Sequence, residues 1–174
     1  MATTYERIRV VVRHLESHPN EKQVDRVARE IRRRRLGEFR LRGPGTALED
    51  FISEASLVRL LRLMSDLGLV KIEGGNLNFR TTDFAFARSD TTYARKVDLA
   101  TKNLLADKGV SLESVQGVIK SIRPPQVPDA PTIHEALGSR AEGIGEEMFA
   151  RLLFLLACAG VSLTRTIHIH YQID

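Results

Sequence analysis

Eight arginines, Arg26, Arg29, Arg32, Arg33, Arg34, Arg35, Arg40 and Arg42, fall within seventeen residues and are opposed there only by Glu30 and Glu38. A net of six positive charges at that density makes a field that polyanions feel. Arginine rather than lysine suits bidentate contacts to phosphate, because its planar fork of donors meets the oxygens in pairs. The excess is local: residues 1–90 carry 17 Lys and Arg against 13 Asp and Glu, whereas residues 91–174 carry nine of each. Clustered charge of this kind, largely unpaired along the chain, points to nucleic acid; the alternative is a solvated helix face with no ligand.

Other chemistries find less footing. His168 and His170, two apart on a strand, share a face and could ligate a metal with Cys158, but no Cys-x-x-Cys or further His spacing accompanies them, so no metal is expected. Glu146 and Glu147 are helix neighbours pointing about 100° apart and cannot act as a facing pair. Gly74-Gly75 lacks the following helix with Lys and Ser or Thr that a phosphate loop needs. Cys158 has apolar neighbours and reads as a small buried residue rather than a nucleophile. No Ser/His/Asp grouping or nucleotide motif stands out, so a non-enzymatic protein without cofactor is expected.

The elements that position these residues follow from periodicity and caps. A first helix is expected from about Thr4 to Ser17, with Ile8, Val11, Val12 and Leu15 on one stripe and Pro19 stopping it. Asn20, with Gln23 three residues on, offers an N-cap for a second helix whose stripe is Val24, Val27, Ala28 and Ile31, leaving Arg26, Arg29, Arg32 and Arg33 outside. Leu36 to Thr46 reads as a loop, Ala47 to Ile52 as a short helix. Ser53 caps a long helix to Leu67. Leu57, Leu60, Leu61, Met64 and Leu67 cluster on one side of it, and Ala55, Arg59, Arg62 and Asp66 on the other, where Asp66 has the spacing to pair with Arg62. Gly68 ends it as a left-handed C′ residue. Leu69–Ile72 and Leu77–Arg80 then alternate about Glu73-Gly74-Gly75-Asn76, a hairpin signal.

The chain also repeats itself. Thr3-Thr4-Tyr5 recurs as Thr91-Thr92-Tyr93, an offset of 88 at which Val24, Val27, Ile31 and Arg35 fall on Leu112, Val115, Ile119 and Arg123. At an offset of 92, Glu54, Arg59, Leu60, Leu61, Leu63 and Gly68 fall on Glu146, Arg151, Leu152, Leu153, Leu155 and Gly160. The four extra residues lie in the Pro- and Gly-rich stretch between Arg123 and Glu146, where a surface loop tolerates insertion. Within it, the four prolines from Ile122 to Pro131 demand extended backbone, a stiff connection between the halves of the second copy.

A helix ending in Leu67-Gly68-Leu69-Val70 and running directly into a hairpin resembles the winged-helix family, over Ala47 to Arg80 and, less closely, Gly138 to Tyr171. The resemblance implies that the long helix is a recognition helix, the hairpin a wing, and the short helix before it the partner in a helix-turn-helix. The expected fold is mainly α with small β-hairpin wings: two tandem winged-helix modules, residues 1–90 and 91–174, related by internal duplication. In module one, Arg59 and Arg62 enter or flank the major groove, while the Arg26–Arg42 cluster and the wing residues Lys71, Asn76, Asn78 and Arg80 hold phosphates.

Module two departs from the pattern. In the helix that begins at Glu146, Phe154 stands where Arg62 stands in module one and Cys158 where Asp66 stands, and a helix apolar nearly all round is normally buried on all sides. Two leading acids repel phosphate at its N-terminus. Its hairpin, Ser162 to Ile173, has no Gly-Gly turn. Phe149, Phe154, Leu155 and Cys158 are therefore expected at an interface with module one, a second copy of the chain or another protein, with Phe154 buried there.

No apolar run approaches the ~20 residues of a membrane span. A single cysteine excludes an internal disulfide, and the opening Met-Ala-Thr-Thr has no signal-peptide character, so a cytoplasmic, nucleoid-associated location is expected. The expected partners are double-stranded DNA and a homodimer mate or other protein met through module two, in transcriptional control, replication or defence against foreign DNA. The alternative is a scaffold subunit whose modules bind other proteins in a chromosome-organising or defence complex.

Overall fold

The computed structural model describes residues 3–35, 53–123 and 128–163; of Arg34 and Arg35 it describes the backbone. The expected loop 36–46, the short helix 47–52, Arg40, Arg42, the expected second hairpin beyond residue 163, and His168 and His170 lie outside the described residues. The described chain is mainly helical with one small antiparallel hairpin, in the order α1 (Thr4–Ser17), α2 (Val24–Arg35), α3 (Glu54–Asp66), β1 (Lys71–Glu73), β2 (Asn76–Asn78), α4 (Asp90–Asp107), α5 (Leu112–Ser121), α6 (Ala130–Leu137) and α7 (Glu146–Ala159). No helix among the described residues is long and apolar enough to cross a membrane. The chain divides into two compact units, residues 1–96 and 97–174, so that the boundary falls inside α4.

In the first unit, α1 starts on a capping box: the Thr3 hydroxyl accepts from the Glu6 N–H, and the Glu6 carboxylate accepts from the Thr3 N–H. Ile8, Val11, Val12 and Leu15 are fully buried along its inner stripe, and α1 packs against α3 and the 3-10 segment Thr81–Arg88. Tyr93 is also fully buried, its ring tilted against Tyr5 and its O–H donating to the Tyr5 carbonyl at 2.5 Å. Burial holds that phenol well above the usual tyrosine range.

The approach to α2 differs from expectation. Asn20 does not cap it; the helix opens at Val24, with the Gln23 carbonyl accepting from the Val27 N–H. The reason is tertiary, because residues 22–24 pair with the hairpin. The Val24 N–H donates to the Gly75 carbonyl, the Leu77 N–H donates to the Lys22 carbonyl, and Gln23 forms an antiparallel bridge with Asn76. Lys22 strengthens the junction, its ammonium 3.5 Å from the centre of the Phe79 ring and donating to the Phe79 carbonyl at 3.0 Å. An extended segment bridged to the hairpin at Gln23 therefore precedes α2.

Helix α3 is capped by the Ser53 hydroxyl, which accepts from the Ser56 N–H at 3.1 Å. Leu57, Leu60, Leu61, Leu63, Met64 and Leu67 are buried beneath it. The hairpin follows within four residues of Leu67, in the register Lys71 to Asn78, Ile72 to Leu77 and Glu73 to Asn76. This leaves Gly74 and Gly75, both with positive φ, as a two-residue turn of the kind that matches strand twist.

In the second unit α5 packs against α6 and α6 against α7. Ser111 and Asp129 cap α5 and α6, while α7 has no side-chain cap and ends on Gly160 in the left-handed conformation. Buried Asp98 ties the residues after α7 to α4: its carboxylate accepts from the Ser162 N–H and hydroxyl and from the Lys102 ammonium, which itself reaches the Ser162 hydroxyl. Gln116 of α5 donates to the Ser162 carbonyl. Before α7, Gly143 passes so close to Lys108 that a Cβ there would lie 2.6 Å from the Lys108 carbonyl oxygen.

Candidate nucleic-acid interface

The basic surface of the first unit is built by α2, α3 and the hairpin. Helix α2 lays its buried face, Val24, Val27, Ala28 and Ile31, against the protein and packs on α3. Arg26, Arg29, Arg32 and Arg33 are exposed, as the stripe requires. Three of the four are paired, and this corrects the charge pattern read along the chain. Glu54, the first residue of α3, lies 3.3 Å from the Arg32 guanidinium and 3.9 Å from that of Arg29, while Arg33 pairs with Glu30 at 2.9 Å. Arg26 carries no ion pair among the described residues. Arg34 and Arg35 lie in the last turn of α2.

On α3 the exposed positions are Ala55, Arg59, Arg62 and Asp66. Arg59 donates to the Ser56 hydroxyl one turn back, at 3.2 Å. No Arg62–Asp66 pair forms, and exposed Arg62 carries no ion pair among the described residues. The hairpin turns Ile72 and Leu77 inward and presents Lys71, Glu73, Asn76 and Asn78 outward, as the two-residue period of a strand dictates. Lys71 is ion-paired with Glu73. The hydrogen bond from Lys71, its charge and a hydrogen bond from Asn78 hold the Glu73 carboxyl below its usual range. The wing thus carries little net charge except at its end, where Arg80 is exposed and has no ion pair among the described residues.

Three participants were missed from the sequence. Lys22 and Gln23 lie far along the chain from the hairpin they join, and nothing local marks them. Glu54 is an acid in the first turn of α3, where the helix dipole favours one, and nothing local marks its partners. Its place between two arginines depends on how α2 crosses α3.

The second unit offers a different surface. Phe149 and Leu155, expected at an interface, are both fully buried, Phe149 with its ring 5.2 Å from that of His134, so neither is available to a partner. Phe154 is 37% exposed on the chain itself, where the expected interface would have to cover it. One turn on, Cys158 is half-buried, and Val161 beyond the helix end is 51% exposed. Arg151 is paired with Glu147 across one turn at 2.5 Å. Groups of three or more His, Cys, Asp or Glu able to hold a metal are absent among the described residues.

In comparisons with known proteins, no family model, no curated protein and no solved structure matches the chain.

Proposed function

We propose that the chain is a non-enzymatic double-stranded DNA-binding protein built from two winged-helix modules, with its reading face on α3 of the first. The observation that carries this reading is the order and packing of the first unit: a helix, an extended segment, α2, α3 and a hairpin, with the extended segment bridged to the hairpin at Gln23 and α2 packed on α3. In winged-helix proteins the helix in the place of α3 enters the major groove, and here it exposes Arg59 and Arg62. The helix paired with α3 is then α2 itself. Arg26, the α2 arginines and Arg80 flank α3 as phosphate contacts, and Asn76 and Asn78 on the wing add neutral donors.

Internal duplication extends the reading to the second unit. Helices α2 and α5 begin 88 residues apart, at Val24 and Leu112, and α3 and α7 begin 92 apart, at Glu54 and Glu146, the same two offsets at which the residues repeat. Roles in transcriptional control, replication or foreign-DNA defence, in the cytoplasm at the nucleoid, fit such a protein equally. The test is anisotropy titration of a labelled random-sequence duplex across a salt series. Binding that weakens steeply with salt is expected, and no binding at low salt would reject the reading.

A second reading has its own observation. The exposed Phe154 and Val161, with Leu99 51% exposed on α4, are apolar groups suited to a protein partner, as in a scaffold subunit or a homodimer. Under that reading duplex DNA binds weakly and association runs through the second unit.

A further inference from the structure

Glu54 lies between two arginines of the basic surface. Its carboxylate spans Arg32 and Arg29 of α2 from the first position of α3, and it is 41% exposed. The N-terminus of a helix is a natural seat for phosphate, because free N–H groups and the dipole both favour an anion there. In this chain a side chain already supplies the anion. Ser53 occupies one N–H, Glu54 adds the negative charge, and two guanidiniums converge on it. Among the neighbouring charges, Glu30 is engaged by Arg33 on its own helix, and Arg26 has no ion pair among the described residues.

We propose that Glu54 is a specificity-determining residue that stands in for a phosphate and so taxes sequence-independent DNA binding. The inference rests on the DNA-binding reading given above. An exposed ion pair adds little to folding, so its two arginines are readily exchangeable between the carboxylate and an incoming ligand. A duplex approaching α3 must break both contacts and bring its own charge towards the displaced carboxylate. Arg29 and Arg32 are thereby withheld from random sequence, and affinity for random sequence is left to the other basic residues, Arg26, Arg59, Arg62 and Arg80 among them.

The test uses the full chain, with Glu54→Gln, Glu54→Asp, Arg29→Gln/Arg32→Gln and the triple combination, each checked for helical content by circular dichroism and titrated against a labelled random-sequence duplex. Glu54→Gln is expected to tighten binding, by about eightfold at about 0.1 M monovalent salt for each phosphate newly held, with the log–log salt slope steepening by about 0.9 per phosphate. Glu54→Asp retains the charge and should stay near wild type. The gain should vanish in the triple variant, since it has no arginines to release. If wild type binds duplex and Glu54→Gln binds no tighter, the inference fails and the DNA-binding reading stands. A gain that survives loss of Arg29 and Arg32 also overturns it, because bulk charge then explains the effect. If no variant binds duplex at low salt, both the reading and the inference fall.

Discussion

Helices α3 and α7 are alike inside and unlike outside. Each buries a continuous apolar face and each is followed by a left-handed glycine, Gly68 or Gly160. Outward, α3 shows Ala55, Arg59, Arg62 and Asp66, whereas α7 shows Glu146, Glu147 and Phe154. Inward residues answer to packing, which any helix in such a position must satisfy. Outward residues are free to answer to a ligand, so the difference in function is to be sought there. On the proposed reading, nucleic acid meets α3 and a protein meets α7.

The largest effects should come where the helices are alike. Leu61 and Phe149 are fully buried, so Leu61→Ala is expected to cost about 2–5 kcal/mol and Phe149→Ala about 3–5 kcal/mol in denaturant unfolding. A small loss at either would mean that the inner faces are not equivalent. A middling effect is expected at Tyr93. Tyr93→Phe removes the hydrogen bond to the Tyr5 carbonyl and should cost about 0.5–1.5 kcal/mol near neutral pH.

The same tyrosine gives the first unit an alkaline limit. Its phenol is held neutral in the folded protein and ionises at a higher pH than in the unfolded chain, where tyrosine titrates near about 10. The folded state therefore binds more protons above that pH, and the contribution, intact below it, is lost as pH rises. Denaturant midpoints followed upward through about pH 10 should fall less in Tyr93→Phe than in wild type. Equal slopes would remove Tyr93 as the cause.

The smallest stability effect should be at Phe154. Because it is 37% exposed, Phe154→Ala should cost less than about 1.5 kcal/mol, well short of the packed phenylalanine on the same helix. If its face meets a partner, the same change lowers self-association in analytical ultracentrifugation. A stability loss as large as that of Phe149→Ala would return Phe154 to the core.

The features legible in the sequence were those with local causes. Thr4 to Ser17, the Ser53 cap, the buried and exposed faces of α3, Gly68 and the Gly74-Gly75 turn all follow from periodicity, a capping hydroxyl or a required positive φ. Features set by distant partners were not. Asn20 has the chemistry of an N-cap, yet residues 22–24 are claimed by strand pairing with Asn76 and its neighbours. The α2 arginines read as unpaired because Glu54 reaches them only once α3 is packed on α2. An apolar α7 suggested burial all round, but periodicity cannot say which neighbour covers each face, and Phe154 is left partly bare.

The most direct test of the division between the two helices is a salt-dependent duplex titration of three proteins: wild type, Arg59→Ala/Arg62→Ala and Phe154→Ala. The double arginine variant is expected to bind more weakly, with a log–log slope shallower by about 0.9 for each of the two arginines that also holds a phosphate, while Phe154→Ala binds like wild type. An arginine variant indistinguishable from wild type, or a loss of DNA affinity in Phe154→Ala, would contradict it.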